Sequence, residues 1–339
     1  MNERDLLAAA RRGDEDAFGR LVGPYRPELH AHCYRMLGSV PDAEDALQDA
    51  LLGAWRGLSR FEGRSSLRSW LYTITTNACL KAIQHRPKRV LPIDYGPVSD
   101  PHGQPAEPLV ESVWIEPYPD EHLGVEDDGP SPEARYEQRE SVELAFIAAL
   151  QHLPARQRAV LILRDVLGFS ARETAEALGT KPTAVDSALQ RAHKTVDARL
   201  PEQSQQAALR ALGDAELREI VDRYLEAWER TDVDTVVAML ADEATFAMPP
   251  HPSWYRGRDA IGAFLAARPL AEGQRWRLLP TRANGQLAFG TYAWDADAGV
   301  FVPHAIDVLT LRGRQIEDIT IFRTPDALAR FGLPSKIEP

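Results

Sequence analysis

Residues 94–134 contain eight prolines and eleven carboxylates but no lysine or arginine. Such a stretch buries too little apolar surface to offset the entropy of ordering it, and each proline removes a backbone donor, so it cannot form the inside of a packed domain. It therefore divides the 339-residue chain. The charge is partitioned the same way: the whole chain carries −11, whereas residues 1–93 carry +3, 94–134 carry −11, 135–213 carry +2 and 214–339 carry −5. A pI near 5.4 thus averages two basic modules joined by an acidic strap, and overall acidity does not exclude a nucleic-acid partner.

The length predicts two to three domains, and 44% hydrophobic residues suffice for ordinary cores. No apolar run approaches twenty residues, and the N-terminal stretch is charged where a signal peptide is apolar, so a soluble cytoplasmic protein with no membrane partner is expected. Cys33 and Cys79 each fall in an apolar helical pattern, with no second Cys or His at ligand spacing. They read as buried free thiols, with no metal site or disulfide framework.

Residues 3–86 read as helices throughout. Leu6, Leu7, Ala10, Phe18 and Leu21 begin an apolar periodicity that Leu29, Cys33, Met36 and Leu37 continue. Pro41 suits the first turn of a helix reaching about Leu58, and a further helix over 66–83 ends before Pro87. The strap, 94–134, carries Val113, Trp114, Ile115 and Tyr118, more apolar surface than a passive spacer needs; they either pack back on the chain's own helices or await a partner. Residues 135–200 are helical again, starting with an amphipathic helix over 141–153, and 201–213 form a connector. In 214–339, helices over 215–230, 233–240 and 259–267 lead into alternating stretches, which predicts an α+β domain with a curved antiparallel sheet.

Residues 169–196 have the pattern of a helix-turn-helix. Ser170 and Glu173 form a capping box, Gly179 closes the first helix, and a second begins near Lys181 or Thr183 after a short turn. Such a second helix enters the major groove; here Ala184, Ser187, Ala188, Gln190, Arg191 and Lys194 offer small and polar contacts, while Val185, Leu189 and Val196 form its core face. Earlier, residues 40–54 carry Asp42, Glu44, Asp45 and Asp49 without a basic residue, whereas 56–89 hold eight Lys or Arg against Glu62 alone. Adjacent helices of opposite charge point to two partners of opposite sign. Trp70, Tyr72, Thr73, Thr75, Thr76 and Asn77 interleave aromatic and hydrogen-bonding groups with the basic ones, the mix that holds unstacked bases, although Trp70 also fits a core position.

The stretches DAEDALQDALLGAW, FEGRSSLRSWLYTITTNACL and LPARQRAVLILRDVLGFSARETAEALG, with an acidic linker between the last two, resemble an extracytoplasmic-function sigma factor of bacterial RNA polymerase over about 1–90 and 135–200. The resemblance implies a helical region 2 bundle (1–93), a linker in the RNA-exit path (94–134) and a region 4 helix-turn-helix (135–200). It places contact with the β′ clamp helices of core polymerase on Asp45, Gln48, Asp49, Leu52 and Trp55. Binding of the −10 element falls to Arg64, Ser65, Arg68, Trp70, Asn77 and Lys81. Binding of the −35 element falls to Arg172, Thr174, Thr183, Ser187, Arg191 and Lys194, with the apolar 160–166 turn meeting the β flap. The WIEPYP stretch is similar to a SigG-like subgroup that also carries a SnoaL-like domain, and 214–339 resembles that domain, an NTF2-like cone.

Cones of this type include isomerases and cyclases, for which Asp307, His304, His251 and Asp295 are the acid-base candidates. Strand alternation places Asp307 with Leu309 and His304 on the opposite face, so the two are not expected to act together. A regulatory domain is preferred, with a small ligand or regulatory protein as partner and a pocket between Trp228, Met248, Trp254, Phe264 and Asp307. The expectation is therefore a promoter-directing sigma subunit, controlled in cis, without catalytic residues or cofactor. The alternatives are a stand-alone helix-turn-helix regulator and a cyclase- or isomerase-like enzyme with a DNA-binding tether.

Overall fold

The computed structural model describes residues 2–109, 113–123 and 140–339. Parts of the acidic segment, 110–112 and 124–134, and the first residues of the second helical stretch, 135–139, lie outside the described residues. Two compact units are present: Met1–Arg89 with His122–Leu200, and Val90–Glu121 with Pro201–Pro339.

The first unit is helical. Its first stretch holds α1 (Glu3–Arg11), α2 (Glu15–Val22), α3 (Arg26–Leu37), α4 (Val40–Gly57) and α5 (Leu67–Ile83). Asn2, Asp14, Ser39 and Ser66 cap four of these by accepting a backbone N–H in the first turn, and Pro41 occupies the first turn of α4. Gly38 takes the left-handed conformation (φ 70°) that closes α3, returning its N–H to the Tyr34 carbonyl. The second stretch holds α6 (Leu144–Gln151), α7 (Ala155–Leu161) running into a wider turn at Ile162–Val166, α8 (Ala171–Leu178) and α9 (Pro182–Asp197).

α3 is the hub, buried from Ala31 to Leu37. Buried arginines tie the two stretches together around it. Arg35 donates to the Ser141 hydroxyl at 2.7 Å; Arg158 donates to the Met36 carbonyl and, at 2.5 Å, to Gln151 Oε1. Burial pushes Arg158 down to about 10, yet its bonds to carbonyls keep the guanidinium supplied with acceptors. Cys33 and Cys79 are buried, and burial together with the neighbouring Cys79 thiol holds Cys33 well above the ordinary thiol range.

In the second unit α10 (Gln205–Glu229) kinks at Gly213 and is followed by α11 (Val233–Met239), β1 (Leu240–Ala247), β2 (Trp254–Arg256), α12 (Arg258–Ala267), β3 (Trp276–Ala283), β4 (Gln286–Asp295), β5 (Val300–Arg312) and β6 (Gln315–Phe322). The strands form one sheet in the order β2-β1-β6-β5-β4-β3. Every pairing is antiparallel except β1 with β6, which departs from the fully antiparallel sheet expected. β1 reaches β6 from the helical layer rather than through a hairpin, so nothing forces an antiparallel approach. Tyr224, Trp228, Phe246, Phe264 and Phe289 fill the space between helices and sheet.

Residues 94–109 and 113–121 of the acidic strap belong to this sheet-bearing unit. Ser99 N–H donates to the Trp254 carbonyl (2.8 Å), Ala106 N–H to Ser253 Oγ (2.8 Å) and Leu109 N–H to the Pro250 carbonyl (3.0 Å). Tyr118 exchanges two hydrogen bonds with Asn284, one to Oδ1 and one from its N–H, both 2.8 Å. Val113, Trp114, Ile115 and Tyr118 are all buried. Tyr118 packs back on the sheet rather than on the helices that the sequence had suggested.

Candidate functional site

On α4, Asp45, Gln48, Asp49 and Leu52 follow one another at helical spacing on a single exposed face. Leu52 is 48% exposed, one of few large apolar side chains so placed, and Ala43, Ala46, Leu47, Ala50 and Ala54 form the opposite, buried face. Trp55 is half-buried with its ring 5.1 Å from Phe18. The charge opposition seen in the sequence is partly satisfied internally: Arg89 pairs with Asp42 at 2.5 Å, and Arg86 pairs with Asp42 and, at 3.4 Å, with Asp45. Gln48, Asp49 and Leu52 lie further along the helix, outside that network.

The basic-aromatic segment is divided. Arg64, Ser65, Asn77 and Lys81 are exposed. Trp70 is half-buried with its ring 4.9 Å from Phe61, so it has the mixed core character that its position suggested. Arg68 is engaged: it donates to Glu28 at 2.8 Å, and its guanidinium lies 4.8 Å from the Tyr72 ring and 5.7 Å from the Phe169 ring. Tyr72 also meets Phe169 edge-on at 5.5 Å. Phe169 immediately precedes the Ser170 cap, so the start of the helix-turn-helix covers part of the α5 face. Sequence reasoning missed Arg35, Arg158 and Phe169 as the residues joining these modules; no local pattern marks a residue whose partner lies about a hundred positions away.

In the helix-turn-helix, both bonds of the Ser170–Glu173 capping box form, and Gly179 closes α8 in the left-handed conformation. Arg172, Thr183, Ser187, Arg191 and Lys194 are exposed, whereas Val185, Ala192 and Val196 face inward. Thr174 is fully buried, so its side chain offers nothing to DNA in this conformation; helical period places it beside Ala175 and Leu178 in the core of α8. Val160, Leu161, Ile162 and Leu163, from the stretch assigned to the flap, are likewise buried.

In the second unit a cavity of about 410 Å³ opens between the sheet and α12. Trp228, Met248, Phe264 and Asp307 line it together, as the sequence suggested. Trp254 does not line it, because its indole N–H is turned to the strap and donates to the Gly96 carbonyl at 2.8 Å. His251 and His304 line the cavity too, whereas Asp295 caps the β4–β5 turn by accepting the Asp297 and Ala298 amides. His304 and Asp307 therefore share a cavity, against the alternation argument. The cause is a bulge: Thr291 pairs with Ala305 and Tyr292 with Pro303, leaving His304 unpaired and turned. Asp307 is fully buried on a central strand, not at an edge or mouth. Burial pushes it up to about 7, against hydrogen bonding from Thr291 and from Tyr224, whose hydroxyl donates a long bond of 3.4 Å to Oδ2. Burial, and then the Arg323 charge, push His304 down to about 4.

Comparison with known proteins agrees with these features. Residues 21–89 match sigma-70 region 2, 143–196 match sigma-70 region 4, and 221–325 match the SnoaL-like domain. The chain is 42% identical over 332 residues to the ECF RNA polymerase sigma factor SigG of Mycobacterium tuberculosis, covering 97% of this chain and 86% of that protein. It is 31% identical over 191 residues to SigM of the same species, covering 56% of this chain and 81% of SigM. The crystal structure of the Mycobacterium tuberculosis extracytoplasmic function sigma factor SigJ shares the fold, with a TM-score of 0.56 at 23% identity over 91% of this chain and 97% of that one. An acidic helix face, a capped helix-turn-helix and a trailing cone, in this order and at this level of identity, mean that the chain belongs to the extracytoplasmic-function sigma factors that carry a SnoaL-like domain.

Proposed function

We propose that the protein is a cytoplasmic sigma subunit that brings core RNA polymerase to its promoters and opens the −10 region, with residues 214–339 acting in cis as a control domain. The exposed strip Asp45–Gln48–Asp49–Leu52 carries this reading. Carboxylates flanking an unburied leucine on an otherwise packed helix suit a basic-apolar partner such as the β′ clamp helices, with Trp55 at the strip's end. Arg64, Ser65, Arg68, Trp70, Asn77 and Lys81 are assigned to the −10 element. Arg172, Thr183, Ser187, Arg191 and Lys194 are assigned to the −35 element, with Thr174 and the 160–166 turn behind them or on the β flap. Arg68 must leave Glu28 and Phe169 to reach DNA, so the promoter-bound form requires the two helical stretches to part locally.

The SnoaL-like domain is read as non-catalytic. Pro105, Ala106 and Glu107 of the strap form part of the cavity wall, which suits a domain that senses or holds the strap better than one that turns over a substrate. Among the described residues no helix is long and apolar enough to cross a membrane, which accords with a cytoplasmic site of action.

The test is transcription in vitro with core polymerase. Asp49→Arg replaces an exposed helical charge, so its stability should match that of the parent chain to within about 0.5 kcal/mol, while a like-charge contact at the interface costs several kcal/mol. The variant should fold, fail to pull down core polymerase and fail to initiate. Normal pull-down by the folded variant would remove the assignment.

A further inference from the structure

Within the helical unit, the end of α5 faces the corner between α6 and α7 across a cavity of about 340 Å³. That volume lies at the lower end of the range for small-molecule sites, roughly 300–1,000 Å³, and is too small for a nucleic-acid duplex. The wall is one-sided in charge. Arg86, Lys88, Arg89 and Arg158 line it against a single carboxylate, Asp42, so a chain of net −11 concentrates an excess of positive charge in one small space.

The cations come from both helical stretches. Arg86 and Arg89 follow α5 and share Asp42, Arg89 at 2.5 Å. Lys88, between them, crosses to the second stretch and donates to His152 Nδ1 at 2.8 Å. Arg158, on α7, is buried, and every acceptor it has is neutral: the Met36, Gln151 and Leu153 carbonyls and Gln151 Oε1. Its Nε has no hydrogen-bond partner. A guanidinium enclosed in this way carries a desolvation cost that a nearby anion offsets. Leu37, Ile83, Pro87 and Leu153 supply apolar wall beside the charges.

We propose that this cavity binds a small molecule carrying a diphosphate, either free or borne by a nucleoside. Two linked phosphates bring roughly three negative charges at neutral pH, matching four cations less one carboxylate, whereas a single phosphate falls short. The arginine forks suit phosphate oxygens taken in pairs, and Lys88 serves as a point charge. Because Lys88 belongs to the first stretch and Arg158 to the second, the guest has its full set of contacts only where the two stretches are closed on each other, and it favours that state by the difference in affinity. In the closed state Glu28 and Phe169 hold Arg68. On the sigma-subunit reading the guest therefore opposes promoter opening; the binding itself does not rest on that reading.

The experiment is calorimetry on the full chain without polymerase or divalent cations, so its outcome is separate from that of the transcription assay. The probes are pyrophosphate, inorganic phosphate, ADP and AMP. Pyrophosphate should bind at one equivalent and phosphate about tenfold or more weakly, and ADP should exceed AMP by a similar factor. Tighter binding of ADP than of pyrophosphate identifies a nucleotide as the source; equal or weaker binding identifies the free anion. Lys88→Gln removes an exposed charge and should weaken pyrophosphate about tenfold, whereas Arg218→Gln removes the same charge from an exposed site on α10 and should leave binding unchanged. At ten times the dissociation constant, exchange at the His85 and His152 amides, on the two sides of the cavity, should slow about tenfold. Absence of binding at millimolar pyrophosphate overturns the proposal. So does equal binding of phosphate and pyrophosphate, equal weakening by the two substitutions, or unchanged exchange at both amides, each of which describes a loose counter-ion atmosphere. Stoichiometric displacement of pyrophosphate by a single-stranded oligonucleotide would overturn it too, giving these cations to nucleic acid. The probe series decides the matter even where a variant fails to fold.

Discussion

Asp307 shows what a single residue contributes and how it escapes sequence reading. Its carboxyl is enclosed, and burial raises it from 3.8 to about 7, so the folded chain holds a proton there that the unfolded chain releases. Between those values the native state binds more protons than the unfolded state. The contribution to stability is therefore complete below about pH 4, falls as the pH rises through about 7, and is constant above that. Asp307→Asn keeps the shape without the charge. The variant should match the parent in stability below about pH 4 and exceed it at pH 8 by on the order of 4 kcal/mol; identical pH dependence of stability in the two proteins would contradict the enclosed carboxyl. The presence of Asp307 in a strand was legible from alternation, and its shared cavity with His304 was not, because a bulge changes the phase without leaving a mark in the residues around it. The acidic Asp49 was legible in the charge pattern of a long, regular helix that keeps its phase, with the alanines on the buried side, whereas Leu52 was singled out by the family resemblance alone.

At the scale of elements, local signals succeeded where capping chemistry decides. The capping box at Ser170 and the left-handed Gly179 fixed α8, and Ser170→Ala should cost about 1 kcal/mol, read as a lowered melting temperature of the helical unit with DNA contacts at α9 intact. On α9, Arg191 and Lys194 are three positions apart and exposed, which is the geometry for two neighbouring contacts with one groove. Arg191→Ala should weaken promoter binding by roughly 1–3 kcal/mol and relax selectivity at one −35 position, whereas Lys194→Ala should weaken all sites evenly and reduce the salt dependence. Unchanged affinity and selectivity in both would displace the recognition helix from the groove. The glutamine-rich stretch before Gly213 was read as a connector but is helical and anchored: Gln205 trades two hydrogen bonds with Leu311, at 2.8 and 2.7 Å. Its structure comes from the end of a central strand about a hundred residues away, and tertiary partners of that kind are invisible to propensity.

For the whole molecule, the decisive fact is that residues 94–109 and 113–121 of the acidic strap are packed with the C-terminal sheet although they lie, in sequence, between the two helical stretches that carry the proposed DNA contacts. Its composition predicts a segment with no core of its own; what its described residues lean on is hidden in the sequence, because the anchors are backbone groups meeting scattered side chains such as Ser253, Trp254 and Asn284 that follow no pattern. One of these side chains acts as a clasp. Asn284 sits in a left-handed turn (φ 57°), a conformation that Asn tolerates, and its Oδ1 takes the Tyr118 amide at 2.8 Å while its own N–H returns to the Tyr118 carbonyl. Asn284→Gly preserves the turn and the backbone half of the clasp and removes the side-chain half. A buried amide left without its acceptor costs about 1–3 kcal/mol, enough to speed exchange at Tyr118 by roughly tenfold or more without unfolding either unit. If the sheet controls initiation through the strap, the same variant should change the yield of transcripts from core polymerase while the promoters chosen stay the same, because α5 and α9 are untouched. Faster exchange at Tyr118 with unaltered transcription would leave the strap a structural tie with no part in control, and altered promoter choice would place its action on the helix-turn-helix itself.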